Sequence, residues 1–155
     1  MASVALQVCI AYFVVSWLEG CVLSWQCLTR PIVVAPLAGL IMGDFRTGII
    51  MGAALESIFM GISAIGGSVP ADACTSSIIA VAFTILTGSS VEEGLAIAMP
   101  IGTVMASLSG LLTPLWAGLA AYWEKLAMEC NPKKFLTTNL LVSLVSGGLV
   151  NTIIL

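Results

Sequence analysis

The residues of this chain best placed to do chemistry are two carboxylates and one amide, all in apolar surroundings. Glu56 lies within residues 48–61, a run that contains no cation. An ionised group at the centre of a bilayer costs about 2.5 to 3.5 kcal/mol on insertion scales, so it faces a cavity, a partner or a substrate. Gly48, Gly52 and Glu56 recur at i, i+4 and i+8 and share one helix face. Small residues on that face let a second backbone approach closely. Two readings follow. In one, Glu56 pairs with Arg30 or Arg46 in a packing seam. In the other, it is a substrate-facing carboxylate in a tight groove.

Asp72 follows a Gly-Gly-Ser break and precedes Thr75, Ser76 and Ser77. It fits a helix N-cap, with the hydroxyls bonding back to their own helix. It also fits a polyol ligand at a re-entrant hairpin tip, where hydroxyls donate to the carboxylate and the helix N-terminus supplies donors beside it. Gln26, next to Trp25, pairs an amide donor and acceptor with a flat apolar ring, which suits a sugar. It suits an interfacial Trp-Gln anchor equally well. Asp44 with Arg46 reads as a solvated or paired turn, and Glu92 with Glu93 as helix-start charges.

The elements that must position these groups are membrane helices. The 155 residues are 59% hydrophobic and 8% charged, with a mean hydropathy of +1.12. Soluble domains carry about 25% charged residues. No basic patch exists for nucleic acid; the longest basic run is Lys133-Lys134. The chain has no His, which removes the commonest general base, metal ligand and phosphoryl carrier. Cys9, Cys21, Cys27, Cys74 and Cys130 show no metal-type spacing and read as reduced apolar packing, so neither a metal nor a cofactor is expected.

Charges and breakers punctuate the spans. Residues 1–18 form a first membrane segment, with no basic region typical of a cleaved leader. Residues 20–29 read as an interfacial or re-entrant piece. Arg30-Pro31 opens a helix, since proline is pre-organised for a first helical position. Residues 31–43 are too short for a straight span. A tight turn over 43–48 leads to a helix over 47–65, a break over 66–72 and a helix over 73–87. After a polar turn at 88–93, in which Ser89 with Glu92 or Ser90 with Glu93 fits a capping box, residues 94–123, which carry Pro100 and Pro114, form either one long kinked helix or two pieces. Residues 124–134 read as a polar loop. It holds Lys125, Lys133 and Lys134, which places it in the cytoplasm. Residues 135–155 form a last apolar segment. The expected fold class is all-α: one polytopic integral membrane domain over 1–155 with broken, re-entrant helical hairpins, the pattern by which transporters build midplane sites.

Arg30-Pro31, then Gly39, Gly43-Asp44, Thr47-Gly48, Gly52 with Glu56, Gly61, Ile65-Gly66 and Pro70-Ala71-Asp72 resemble the IIC subunit of mannose-class phosphotransferase-system sugar permeases, which take mannose, fructose, sorbose or N-acetylgalactosamine. The ordered set RP, GD-x-x-TG, G-x-x-x-E and P-x-D carries the resemblance, which runs from about Leu18 to Lys134. It implies a multi-pass sugar permease of the bacterial cytoplasmic (inner) membrane. A IID membrane subunit would accompany it in a larger oligomer, with phosphate relayed from phosphoenolpyruvate on histidines of cytoplasmic IIA and IIB. The subunit would present a hexose or amino-sugar to IIB and would not be an enzyme by itself. Glu56 and Asp72 match acidic positions near the sugar path; Gln26 lies where a polar residue precedes the RP pair. Family members are longer, so the chain reads as the N-terminal portion of a IIC permease. Two rivals remain: a cation-coupled secondary transporter with Glu56 as proton carrier, and a truncated assembly partner that does not transport.

Overall fold

A computed structural model describes residues 6, 9–10, 12–15, 27–62 and 70–145. Residues 6, 9–10 and 12–15 are helical, in agreement with a first segment over 1–18. Six further helices follow: α1 (Pro31–Met42), α2 (Phe45–Phe59), α3 (Ala73–Thr87), α4 (Val91–Ala117), α5 (Ala120–Met128) and α6 (Pro132–Ser143). No strand occurs among the described residues.

Each boundary has a local cause. Pro31 starts α1, and Gly43 stops it at φ 86, a left-handed conformation that costs glycine nothing. The Gly43 and Asp44 N–H groups donate to the Leu40 and Gly39 carbonyls at 3.2 and 2.9 Å. This is the Schellman arrangement, and it satisfies carbonyls that would otherwise lack partners. Asp44 then caps α2, accepting from the Thr47 N–H at 3.1 Å and the Thr47 hydroxyl at 2.6 Å. Ser90 caps α4 by accepting from the Glu93 N–H at 3.3 Å, which selects Ser90 with Glu93 as the capping pair. Asn131 caps α6 by accepting from Lys134 N–H.

Two expectations are corrected, and one pair of alternatives is decided. The helix expected over 47–65 begins at Phe45 and ends at Phe59, with Gly61 just beyond it; residues 63–69 lie outside the described set. Of the two alternatives for the run 94–123, the structure shows two pieces: it divides at Gly118-Leu119, and both Pro100 and Pro114 lie inside α4. The expected loop over 124–134 is mostly helix: α5 continues through Glu124 and Lys125, and the turn holds only Glu129, Cys130 and Asn131. Glu and Lys are good helix formers, and charge alone does not end a helix.

Helices α1 to α4 form the packed part of the molecule. Ala35, Ala38, Met51, Leu55, Phe59, Ala71, Ala80, Val81 and Ala98 share its core. A second apolar cluster joins Tyr12, Val34, Cys74 and Ile78, with Val15 and Met42 packed against it, so the first segment packs on α1 and α3. Among the described residues, Val91–Leu111 is the one helical stretch long and apolar enough to cross a membrane. Its 21 residues reach about 32 Å, close to the roughly 30 Å of a hydrocarbon core. Helices α1 and α3, at 12 and 15 residues, reach only about 18 and 22 Å.

Candidate functional site

The packed helices form two antiparallel hairpins, and each is closed by a seam of small residues. In α1–α2, a Cβ placed on Gly48 would lie 2.7 Å from the Ala35 carbonyl and 3.1 Å from the Gly39 Cα. One on Gly52 would lie 3.1 Å from the Pro31 carbonyl and from the Pro36 ring. The face expected from the spacing of Gly48, Gly52 and Glu56 is therefore a backbone-to-backbone contact, and it runs from the Gly43 turn toward Pro31.

Glu56 ends that seam. Its Oε1 accepts from the Arg30 guanidinium at 3.4 Å, and its Oε2 accepts from the Ile32 N–H at 3.3 Å. The N–H groups of a helix's first turn have no partner within the helix. Glu56, from α2, thus caps α1 across the hairpin. It does pair with Arg30, as one of its two readings holds. Its contacts are long, however, and its side chain remains 21% exposed. A carboxylate offers about four acceptor positions, so two stay open.

Asp72 caps its own helix. Oδ1 accepts from the N–H groups of Cys74 and Thr75 at 3.1 and 3.2 Å, and Oδ2 accepts from the Thr75 hydroxyl at 2.7 Å. Its backbone N–H donates to the Gly102 carbonyl at 2.9 Å. Gly102 lies near the middle of the Val91–Leu111 span. Helix α3 therefore starts level with the centre of a membrane-length helix and does not start at its end. Val34 of α1 shares an apolar cluster with Cys74 and Ile78 of α3, so the two helices are neighbours. Glu56 thus stands at the start of α1 and Asp72 at the start of α3. A helix N-terminus carries partial positive charge and unpaired donors, so this end favours polar or anionic groups. Gln26 lies outside the described residues.

One feature lies outside the sequence expectations. Helices α3 and α4 carry a second seam, in which Gly94 faces Thr84 and Met51, and Gly102 faces Asp72 and Ser76. Ala98 and Ala80, both fully buried, lie between. Gly94, Ala98 and Gly102 repeat the i, i+4, i+8 spacing of Gly48, Gly52 and Glu56, and that spacing was the available signal. Ser76, Ser77 and Thr84 are buried there, with hydroxyls bonded back to the Ala73 and Ala80 carbonyls. Each hydroxyl is satisfied within its own helix and leaves the seam smooth.

A half-length helix that starts level with mid-span, carboxylates at two helix N-termini and one long apolar helix define a polytopic helical membrane protein of the transporter class. The family described as the PTS system sorbose-specific IIC component matches residues 2–155, and the chain belongs to that family of phosphotransferase-system permease components. It is 31% identical over 105 residues to an Escherichia coli (strain K12) protein named as N-acetylgalactosamine permease IIC component 2, covering 68% of this chain and 77% of that one. It is 32% identical over 137 residues to the sorbose-specific EIIC component of Klebsiella pneumoniae, covering 85% of this chain and 49% of that one. A chain of the mannose transporter ManYZ, solved by cryo-electron microscopy with a microcin, superposes with a TM-score of 0.78 at 25% identity, covering 99% of this chain and 62% of that one. The chain thus spans about half the length of the sorbose-specific relative. The all-α membrane fold and the resemblance to mannose-class IIC subunits both hold.

Proposed function

We propose that this chain translocates a hexose or amino-sugar across the bacterial cytoplasmic membrane for phosphorylation by a partner IIB subunit, with Glu56, Asp72 and Gln26 as sugar ligands. The observation that carries this reading is the Asp72 N–H bond to the Gly102 carbonyl. It sets a helix start and its carboxylate level with mid-span, where a polar group is costly unless it serves a path. Sugar hydroxyls would donate to the open acceptor positions of Glu56 and to the remaining one of Asp72. Gln26 would add an amide that both donates and accepts.

The chain carries no His. Phosphate would therefore travel on the IIA and IIB partners, and this subunit would supply binding and passage, not catalysis. A IID subunit would complete the membrane part, in an oligomer. Phosphorylation would hold the product inside by changing its relative affinity for the two states of the site. Relatives are named for N-acetylgalactosamine and sorbose, and the solved neighbour is a mannose transporter. These three sugars form the first panel.

The test uses membranes from cells lacking an endogenous system, with the chain expressed with and without a IID partner. Sugar phosphate accumulation that requires both phosphoenolpyruvate and IID is the expected result. Uptake driven by a pH gradient with no phosphoryl donor would instead make the chain a secondary transporter. No accumulation, with the chain inserted and bound to IID, would make it a non-transporting assembly partner.

A further inference from the structure

Arg30 stands in the wrong place by the rules of helix stability. It is the N-cap of α1, where Ser, Thr, Asp or Asn would accept a first-turn N–H. A guanidinium has no acceptor, and its charge opposes the positive end of the helix dipole. No side-chain cap bond forms from Arg30. By contrast, Asp44, Asp72 and Asn131 each cap their own helices through a side-chain oxygen. The first turn of α1 is left with an unsatisfied donor and a cation, and both point to Glu56 on the other arm of the hairpin.

We infer that Arg30 is the positioning residue of the sugar site: it holds the Glu56 carboxylate aimed at the start of α1, with two acceptor positions left open. This rests on the reading of Glu56 as a sugar ligand. The two contacts at 3.3 and 3.4 Å orient the carboxylate without saturating it. Asp72 differs, since short bonds from its own helix occupy it. Two positive sources converge on one carboxylate: the Arg30 guanidinium and the helix end, which reaches it through the Ile32 N–H. That convergence fixes the group before a ligand arrives, which is how pre-organisation improves affinity. Arg30 is 48% exposed at its side chain, so the pair is reachable.

The test is a double-mutant cycle on the full chain, purified with a IID partner. Binding of mannose, sorbose and N-acetylgalactosamine is measured for wild type, Arg30→Gln, Glu56→Gln, both together, and Arg30→Lys. Arg30→Gln should weaken binding at least about fivefold in wild type and add nothing in the Glu56→Gln background, as contacting residues that act as a unit do. Arg30→Lys should restore part of the loss, because it keeps the charge and lacks only the planar fork. Retained complex formation with IID separates these effects from failure to fold. If the two losses multiply, or Arg30→Gln binds normally while Glu56→Gln does not, Arg30 is not the positioning residue. If Glu56→Gln binds as wild type, or wild type binds none of the three sugars, the sugar-site reading itself falls.

Discussion

In the α1–α2 hairpin, helices meet backbone against backbone at Gly39, Gly48 and Gly52, and the open end is closed by a carboxylate from the opposite arm. In the α3–α4 hairpin, a hydroxyl and a methionine methyl meet Gly94, and the open end is closed by a carboxylate from the same helix. Both hairpins thus end in an acid at a helix N-terminus, but the two acids are held differently. Asp72 accepts three bonds of 2.7 to 3.2 Å from its own first turn. Glu56 accepts two of 3.3 to 3.4 Å from another helix. A carboxylate that caps its own helix has fewer acceptor positions left for a ligand. One that caps across a hairpin keeps open positions and is the better placed to take a ligand.

The largest expected effect comes from filling the first seam. Gly48→Leu drives a side chain into the Ala35 carbonyl and the Gly39 Cα, and backbone cannot move aside as a side chain can. Overpacking typically costs about 1 to 3 kcal/mol and more where nothing yields. The variant should lose its monodisperse peak in detergent size-exclusion chromatography. Gly94→Ala should be milder, because the clash is with the Thr84 hydroxyl and the Met51 methyl, which are ends of side chains. Thr84→Ala should restore much of its thermal stability. If Gly48 variants prove as easily rescued by a side-chain change, the contrast between the seams is wrong.

The carboxylates test the second half of the contrast. Glu56→Gln should largely abolish uptake while the chain inserts and melts near the wild-type temperature. Asp72→Ala should lower stability by about 1 to 2 kcal/mol through loss of a helix cap, read as a shift in thermal unfolding. Equal melting losses for both variants would break the distinction between the two caps. Asp44 sharpens it further. It has the same Asp-x-x-Thr cap as Asp72 but sits at the α1–α2 turn. Asp44→Ala should cost about 1 kcal/mol of stability and leave sugar affinity unchanged.

How far this was legible from sequence varied with the kind of signal. Helix α3 is expected over 73–87 and is Ala73–Thr87, because Asp72 and Gly88 mark both ends. Helix α2 is overestimated at its end, since apolar sequence continues past Phe59 with only Gly61 to stop it. Glu56 stood out by the cost of burying a charge, and Asp72 by the Gly-Gly-Ser break before it. Their partners were less legible: the bond from Arg30 to Glu56 spans 26 positions, and spacing cannot choose between Arg30 and Arg46. The bond from Asp72 to Gly102 joins two backbones, and no side-chain pattern encodes it. The seam at Gly94, Ala98 and Gly102 lay in an apolar run with no polar residue to draw attention to its spacing.

The α5–α6 hairpin supplies the control with neither a glycine seam nor a buried acid. Of α5, only Leu126 is buried, and the turn is joined by an exposed Lys134–Glu129 pair at 2.7 Å. The Lys134 ammonium holds the Glu129 carboxyl below the usual glutamate range, by hydrogen bond first and by charge second. A carboxyl depressed in the folded state contributes stability above its unfolded pKa and loses that contribution as pH falls through the folded value. Exposed pairs of this kind contribute little, so acidification should loosen this turn while leaving the two seams intact. In a carboxyl-labelled sample, Glu129 should titrate below the ordinary range, and Lys134→Met should return it there. Relative to the intrinsic exchange rate at each pH, protection of the Glu129 and Cys130 amides should fall on acidification, while Gly48 and Gly102 stay protected. Equal loss of protection at all four would mean that charge, rather than close backbone contact, holds the inner hairpins together.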